Sequence, residues 1–343
     1  MKRASRFDVA VLIGRFQPFH NGHRALLEQA LAAAERVIVV LGSSYQARNA
    51  KNPFTWEERA AMIAATLDAA TIKRVGFAPV RDYYDDARWS AAVSLAVQAH
   101  CGGAERSIAL VGFHKDASSY YLDRFPHWAF LPTPQYGNID ATHIRQIYFA
   151  GDSAAATRTA LAGALPQAVV SYLMEWSQLP AYAQMRDEHL HIEESKKRWG
   201  VGPFVTVDAV VTASAHVLLV RRRNAPGKNL WALPGGFLEP RERLLQGALR
   251  ELQEETGLAL ADSSMRERLK GVAVFDHPDR SLRGRTITHA HWFDLGHCEL
   301  AEVTGADDAA EARWVALADL AAMEDRCFED HFHILNHFLL LAA

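Results

Sequence analysis

The stretch Val9-Ala-Val-Leu-Ile13-Gly14-Arg15-Phe16-Gln17-Pro18-Phe19-His20-Asn21-Gly22-His23 decides how the first half of this chain folds. Five apolar residues in succession, with no polar alternation, suit a strand buried on both faces. A helical pattern follows from His23 to Ala34, with Leu26, Leu27, Ala30 and Leu31 on one face. The turn between them therefore sits at the carboxyl end of a strand, where open parallel sheets bind ligands. Gly22 lets a ligand approach the backbone. The helix start offers unpaired N–H groups to a phosphate, and Arg15 adds a planar fork of donors. With His20 and His23 three residues apart, the turn suits charge developing on a phosphate.

Outward from that turn, strand-like and helix-like segments alternate. Val37–Leu41 is a second buried strand, and Thr55 with Glu58 forms a capping box opening a helix to about Leu67. Val75–Val80, Ala87–Ala99 and Ile108–Val111 continue the rhythm, which predicts a doubly wound α/β domain over residues 1–181. Residues 182–203 are polar and charge-rich and predict a linker, helical in character. A second domain over 204–343 opens with Val205–Thr212 and Val217–Val220, then shows one strong helix, strands at Val272–Phe275 and Thr286–Phe293, and a helical tail from Leu317. Strands around an isolated helix predict an α+β sandwich.

The chain has 343 residues, long enough for two domains at roughly 100–200 residues each. Its 37 basic and 40 acidic residues cancel to net −3, so no global basic field exists to hold a nucleic-acid backbone. Lys2, Arg3 and Arg6 precede an apolar run too short for a signal peptide, and no stretch reaches the length of a membrane span. Cys101, Cys298 and Cys327 are odd in number and widely spaced, which fits a reducing cytoplasm. The expectation is an unexported protein without nucleic-acid or membrane partners; whether it forms a homo-oligomer stays open.

The second domain carries Gly236-x5-Glu242-x7-Arg250-Glu251-Leu252-x-Glu254-Glu255-x-Gly257-Leu258. Leu245, Ala248, Leu249 and Leu252 make the buried stripe of a helix. Glu251, Glu254 and Glu255 fall three and four residues apart on a neighbouring face, so their carboxylates should converge and need bridging cations. Hard oxygen ligands select Mg²⁺ or Mn²⁺. Downstream, Asp307, Asp308 and Glu311 offer further loop acids, and Arg280, Arg283 and Arg285 form a basic loop able to clamp a phosphate.

The turn at His20–His23 resembles the H-x-G-H signature of the nucleotidylyltransferase superfamily. Asp140-Ala-Thr142-His-Ile-Arg145 resembles that family's second motif, Ser-x-Thr-x-x-Arg, with Asp140 in place of the usual Ser. The resemblance implies ATP binding by Gly14, Gly22, Thr142 and Arg145, and transfer catalysis by His20, His23, Arg15 and Arg145. Asn52-Pro-Phe-Thr55-Trp-Glu-Glu-Arg59 is similar to a segment of the archaeal-type nicotinamide mononucleotide (NMN) adenylyltransferases. Asp82 and Trp89 resemble their acceptor site, where the Trp stacks on the nicotinamide ring and Asp82 would serve the carboxamide.

Every fixed position of the second pattern, led by Leu230-Trp231-Ala-Leu-Pro-Gly235-Gly236, resembles the Nudix box. This implies metal-dependent hydrolysis of a nucleoside diphosphate compound, with Glu251, Glu254 and Glu255 as metal ligands and Gly236, Glu242 and Arg250 as supporting residues. The order of the two domains resembles the bifunctional NMN adenylyltransferase/Nudix hydrolase family, whose substrates are ATP, NMN and, in the Nudix half, ADP-ribose. Two alternatives stay open: another phosphate acceptor for the first domain, or a Nudix half that senses an NAD-related ligand as a regulator.

Overall fold

The structure, a computed structural model, describes residues 7–102, 106–113, 117–134, 136–137, 139–151, 153–258 and 260–341. Lys2, Arg3 and Arg6 lie outside the described residues. Two compact units divide between Arg186 and Asp187. No described helix is long and apolar enough to cross a membrane.

The first unit contains β1 (Phe7–Gly14), α1 (Asn21–Ala33), β2 (Ala34–Leu41), α2 (Trp56–Ala64), β3 (Val75–Pro79), α3 (Asp86–Cys101), β4 (Ile108–Gly112), β5 (Ala129–Pro132), α4 (Ala141–Ala150), α5 (Ala154–Leu161) and α6 (Gln167–Trp176). Its five strands form a wholly parallel sheet in the order β3-β2-β1-β4-β5. The chain runs outward from β1 to one edge, then returns to β4 on the other side. That reversal opens a crevice at the carboxyl ends of β1 and β4.

The unbroken apolar run of β1 has a plain cause. Side chains alternate across the sheet, and both faces are covered. Ala10 and Leu12 enter a core with Leu27, Met62, Tyr148, Phe149 and Leu173, contributed by α1, α2, α4 and α6. Val9 and Val11 enter a second core with Val93 and Val97 of α3. The capping box at α2 forms as expected, with Thr55 Oγ1 accepting from the Glu58 N–H and Glu58 Oε2 from the Thr55 N–H.

The boundary falls within α7 (Pro180–Trp199). Its buried positions, Met185, Glu188 and Ile192, follow helical spacing but include a carboxylate, so no apolar stripe marks the sequence. The second unit continues with β6 (Phe204–Ala213), β7 (His216–Arg222), β8 (Trp231–Ala232), β9 (Gly235–Phe237), α8 (Leu244–Thr256), α9 (Asp262–Glu267), β10 (Leu269–Phe275), β11 (Thr286–Asp294), β12 (Ala309–Ala316), α10 (Leu317–Leu320) and α11 (His331–Leu339). The sheet is mixed, in the order β10-β11-β6-β7-β12, with β8 on β7, β9 on β6, and β6 parallel to β11. Ala209 and Val211 of β6 pack with Leu249 and Leu252 of α8, whereas Val210 packs with Ile334 and Leu335 of α11. Helices therefore cover both faces. Glu311 is not in a loop: it sits on β12 and pairs with Arg221 at 3.3 Å.

Phe149 is 0% exposed at the centre of the larger core of the first unit. Phe149→Ala is expected to destabilise that unit by about 3–5 kcal/mol, read from the shift of its urea midpoint. A loss below about 1 kcal/mol would show that this core is not sealed.

Two candidate active sites

In the first unit the turn after β1 is built by tight contacts. Phe16 takes a left-handed backbone, φ 52°, and its ring folds back so that a Cβ at position 14 would lie 2.9 Å from it. Gly14 is therefore required by space. Gly22 leaves room for the His20 ring in the same way, with 3.1 Å to a hypothetical Cβ. His20 caps α1, and the two histidines share a reciprocal arrangement. His20 Nδ1 accepts from the His23 N–H and His23 Nδ1 from the His20 N–H, both at 3.3 Å. The rings stack with centroids 3.6 Å apart. An Nδ1 that accepts a hydrogen bond carries no proton, so each neutral ring holds its proton on Nε2. Burial, and secondarily the charge of His20, push the His23 pKa well below the ordinary imidazole value. With its pKa so lowered, the His23 ring is neutral at physiological pH and serves as a donor through Nε2.

Arg145 projects from α4 into the same region, donating to the Gln17 carbonyl at 2.8 Å and to Thr142 Oγ1 at 3.3 Å. Burial lowers its pKa to about 10, which leaves it cationic at neutral pH. Asp140, the departure from the second motif, caps α4 by accepting from the Thr142 N–H at 2.6 Å. The Thr142 hydroxyl is thereby spared from capping. Arg15 is exposed beside this group. Gln17, absent from the sequence expectations, is 2% exposed and clasps the backbone of Phe54 with both ends of its amide, at 2.8 and 3.0 Å. It thereby ties the Asn52–Thr55 segment to the His20 turn. Asn52 is buried there, with an Oδ1 that no group among the described residues satisfies.

The two residues expected on the acceptor side, Asp82 and Trp89, make these contacts within the chain. Both Asp82 carboxylate oxygens take Ser43, one the N–H at 3.2 Å and the other the hydroxyl at 2.6 Å. Trp89 on α3 is half-buried and packs edge-on against Tyr121 and Phe125, at 5.9 and 6.1 Å between centroids.

In the second unit the Nudix-like helix is α8. Arg250 fans out to Glu242 Oε1 at 2.9 Å, Glu251 Oε1 at 2.9 Å and Glu254 Oε2 at 2.8 Å. Glu255 turns inward instead and accepts from the Gly235 N–H at 3.0 Å. The three carboxylates are thus not gathered into a preformed cage, and no group of three metal-binding side chains stands ready among the described residues. Arg250 supplies the positive charge that two of them need, and among the described residues no cation lies within ion-pair distance of Glu255, on which Arg222 acts from farther away. Burial raises the Glu255 pKa to about 8 and raises that of Glu251. Buried, cation-seeking oxygen donors fit a hard divalent ion. Gly236 is again a matter of space: a Cβ there would lie 2.5 Å from Glu251 Oε1.

Two of the three arginines expected to clamp a phosphate are committed elsewhere. Arg280 makes a buried bidentate pair with Asp330, both bonds 2.8 Å, and Arg285 is bound to Asp276. Arg283 lies over the rings of Phe237 and Phe328 at 5.4 and 5.8 Å and also reaches Glu329 at 3.7 Å. Of the downstream acids, Asp308 accepts from the Asn224 amide at 3.1 Å.

Comparison with known proteins finds a family match in each unit. The cytidylyltransferase-like family model matches residues 11–147 and the NUDIX domain model residues 202–338. The nicotinamide/nicotinic acid mononucleotide adenylyltransferase of Acinetobacter baylyi is 34% identical over 185 residues, 54% of this chain and 94% of that protein. The ADP-ribose pyrophosphatase of Methanocaldococcus jannaschii is 33% identical over 144 residues, 42% of this chain and 78% of that protein. The crystal structure of a bifunctional NMN adenylyltransferase/ADP ribose pyrophosphatase from Francisella tularensis, complexed with AMP and a Mn ion, is 35% identical, with a TM-score of 0.88 over 97% of this chain and 99% of that one. With both signatures in place and one relative matching nearly end to end, the chain belongs to the bifunctional NMN adenylyltransferase/ADP-ribose pyrophosphatase family.

Proposed function

We propose that this chain transfers the adenylyl group of ATP to NMN, giving NAD and pyrophosphate, and hydrolyses ADP-ribose to AMP and ribose 5-phosphate. The observation that carries this is the occurrence of both sites in one chain, in the order found in the Francisella enzyme over 97% of the length.

In the transfer, an oxygen of the NMN phosphate attacks the α-phosphorus of ATP in line. The bond from that phosphorus to the bridging oxygen breaks, and pyrophosphate leaves with the electron pair. The acceptor phosphate is ionised at neutral pH, so no side chain need act as general base. The protein's part is positioning and charge stabilisation. Arg15 and Arg145 hold the phosphates with Thr142, while His20 and His23 donate from Nε2 to the oxygens gaining charge. Gly14 and Gly22 leave room for the Phe16 and His20 rings that shape the nucleotide turn. Asp82 shapes the acceptor side through Ser43, and Trp89 offers indole surface to the cationic nicotinamide ring.

In the hydrolysis, Glu251, Glu254 and Glu255 would hold the divalent ions, with Mg²⁺ the first choice and Mn²⁺ the second. When bound, such ions screen the diphosphate charge and make a coordinated water acidic. Arg250 and Glu242 orient the glutamates, and Gly236 lets Glu251 approach the strand. The free cysteines, Cys101 and Cys327 buried and Cys298 exposed, suit a reducing cytoplasm.

His23→Ala should lower NAD formation by about 100-fold or more while ADP-ribose hydrolysis stays near the parent rate. NAD formation at the parent rate would remove His23 from the mechanism. Glu255→Gln should show the reverse pattern. It keeps size and hydrogen bonding but removes a ligand charge, so ADP-ribose cleavage should fall by about 100-fold or more, with only partial recovery in excess Mg²⁺ or Mn²⁺. Cleavage at the parent rate would end the metal-ligand role of Glu255.

A further inference from the structure

Arg59 on α2 is 0% exposed, the bulkiest fully buried side chain among those described. Taking a guanidinium out of water is costly unless a carboxylate compensates it. Among the described residues no carboxylate lies within ion-pair distance of Arg59, and Asp82, Glu57 and Glu58 act on it only at longer range. Its donors go to neutral oxygens instead. Nη1 donates to the carbonyls of Arg15 at 2.7 Å and Gly42 at 2.6 Å; Nη2 donates to the Ser43 carbonyl at 3.4 Å and Ser44 Oγ at 3.2 Å; Nε donates to the Thr55 carbonyl at 3.2 Å. Burial lowers its pKa to about 10, so the charge persists at neutral pH.

The acceptors are informative in their placement. Arg15 and Gly42 follow β1 and β2 directly, and the Gly42 N–H donates to the Gly14 carbonyl at 3.0 Å, which locks the two strand ends together. Ser43 takes a left-handed backbone, φ 50°, and presents its N–H and hydroxyl to Asp82. One guanidinium thus fixes the residue carrying the Arg15 side chain, the strand end beside it and the turn that engages the acceptor-side carboxylate. Its charge lowers the cost of bringing polyphosphate to that end of the sheet.

We propose that Arg59 is a positioning residue for adenylyl transfer, aligning Arg15 and the Ser43–Asp82 turn through the carbonyls at the ends of β1 and β2. This rests on the transferase function proposed above. An aliphatic side chain of similar volume would fold there more cheaply, because it would bury no charge. A buried five-donor cation with no carboxylate within ion-pair distance points to the reaction rather than to stability.

The test is Arg59→Lys in the full chain, which keeps the charge but cannot reach acceptors on three separate segments. Turnover for NAD formation should fall about 10- to 100-fold, the Michaelis constant for ATP should change by less than about 3-fold because Arg145 and Thr142 are held independently of Arg59, and ADP-ribose hydrolysis should be unchanged. Turnover is expressed per folded molecule, from circular dichroism and size exclusion below the melting temperature. A purely structural role would lower the melting temperature and leave that turnover at the parent value, and this result would overturn the inference. If the lysine variant does not fold, Arg59→Gln, which removes the buried charge, carries the same measurement with the same two outcomes. A parent chain that forms no NAD from ATP and NMN would overturn the transferase function and the inference together; an active parent with a fully active variant would overturn the inference alone.

Discussion

Cationic charge removed from water without a carboxylate beside it is the constraint on which the first unit depends. Arg59 at 0% and Arg145 at 9% exposure are held by backbone carbonyls and hydroxyls, with Arg15 near enough to repel both. Hydrogen bonds and distant carboxylates offset part of that cost, and a dense anion would offset more of it. The rest of the unit can be understood as what holds these groups in place. The parallel sheet supplies strand ends whose carbonyls accept from them. Gln17 clasps the Phe54 segment, so that α2 brings Arg59 in from the side, and Asp140 caps α4 so that Thr142 is left to Arg145.

The second unit has the opposite polarity. Its buried arginine is matched, Arg280 with Asp330, whereas among the described residues Glu255 holds one backbone N–H and no cation within ion-pair distance. Arg250 serves three carboxylates, which keeps them oriented at the price of occupying their oxygens. One chain thus presents a site short of anions and a site short of cations. That division matches a reaction whose metal travels with ATP and another whose metal belongs on the protein.

Much of this was legible in the amino-acid order because the physical signals are local. The run Val9–Ile13 has no alternation since both faces of β1 are covered, and the Thr55–Glu58 box and the α8 stripe obey short-range rules. The positions of His20, His23, Gly22, Gly236 and Arg250 follow from motifs with fixed spacing. β5 and β12 escaped notice for a different reason. β5 is four residues long and mostly exposed, and β12 buries Ala309, Ala312 and Val315, three residues apart, which is not the alternation that marks a strand. The roles of Gln17 and Arg59 depend on partners tens of residues away, and nothing adjacent distinguishes Arg59 from a solvated helix arginine. Arg280 and Arg285 misled in the converse sense: three arginines in six residues suggest one clamp, but the fold sends two of them to Asp330 and Asp276.

The central claim is that the carboxyl end of β1 is a preformed polyanion site whose charge is already in place without metal. Calorimetric titration of the metal-free protein with inorganic tripolyphosphate measures this directly. The account predicts one binding event per chain, weakening as salt is raised and abolished by Arg145→Ala, with ADP-ribose failing to compete. The absence of any tripolyphosphate binding, or binding that persists unchanged in Arg145→Ala, would contradict it.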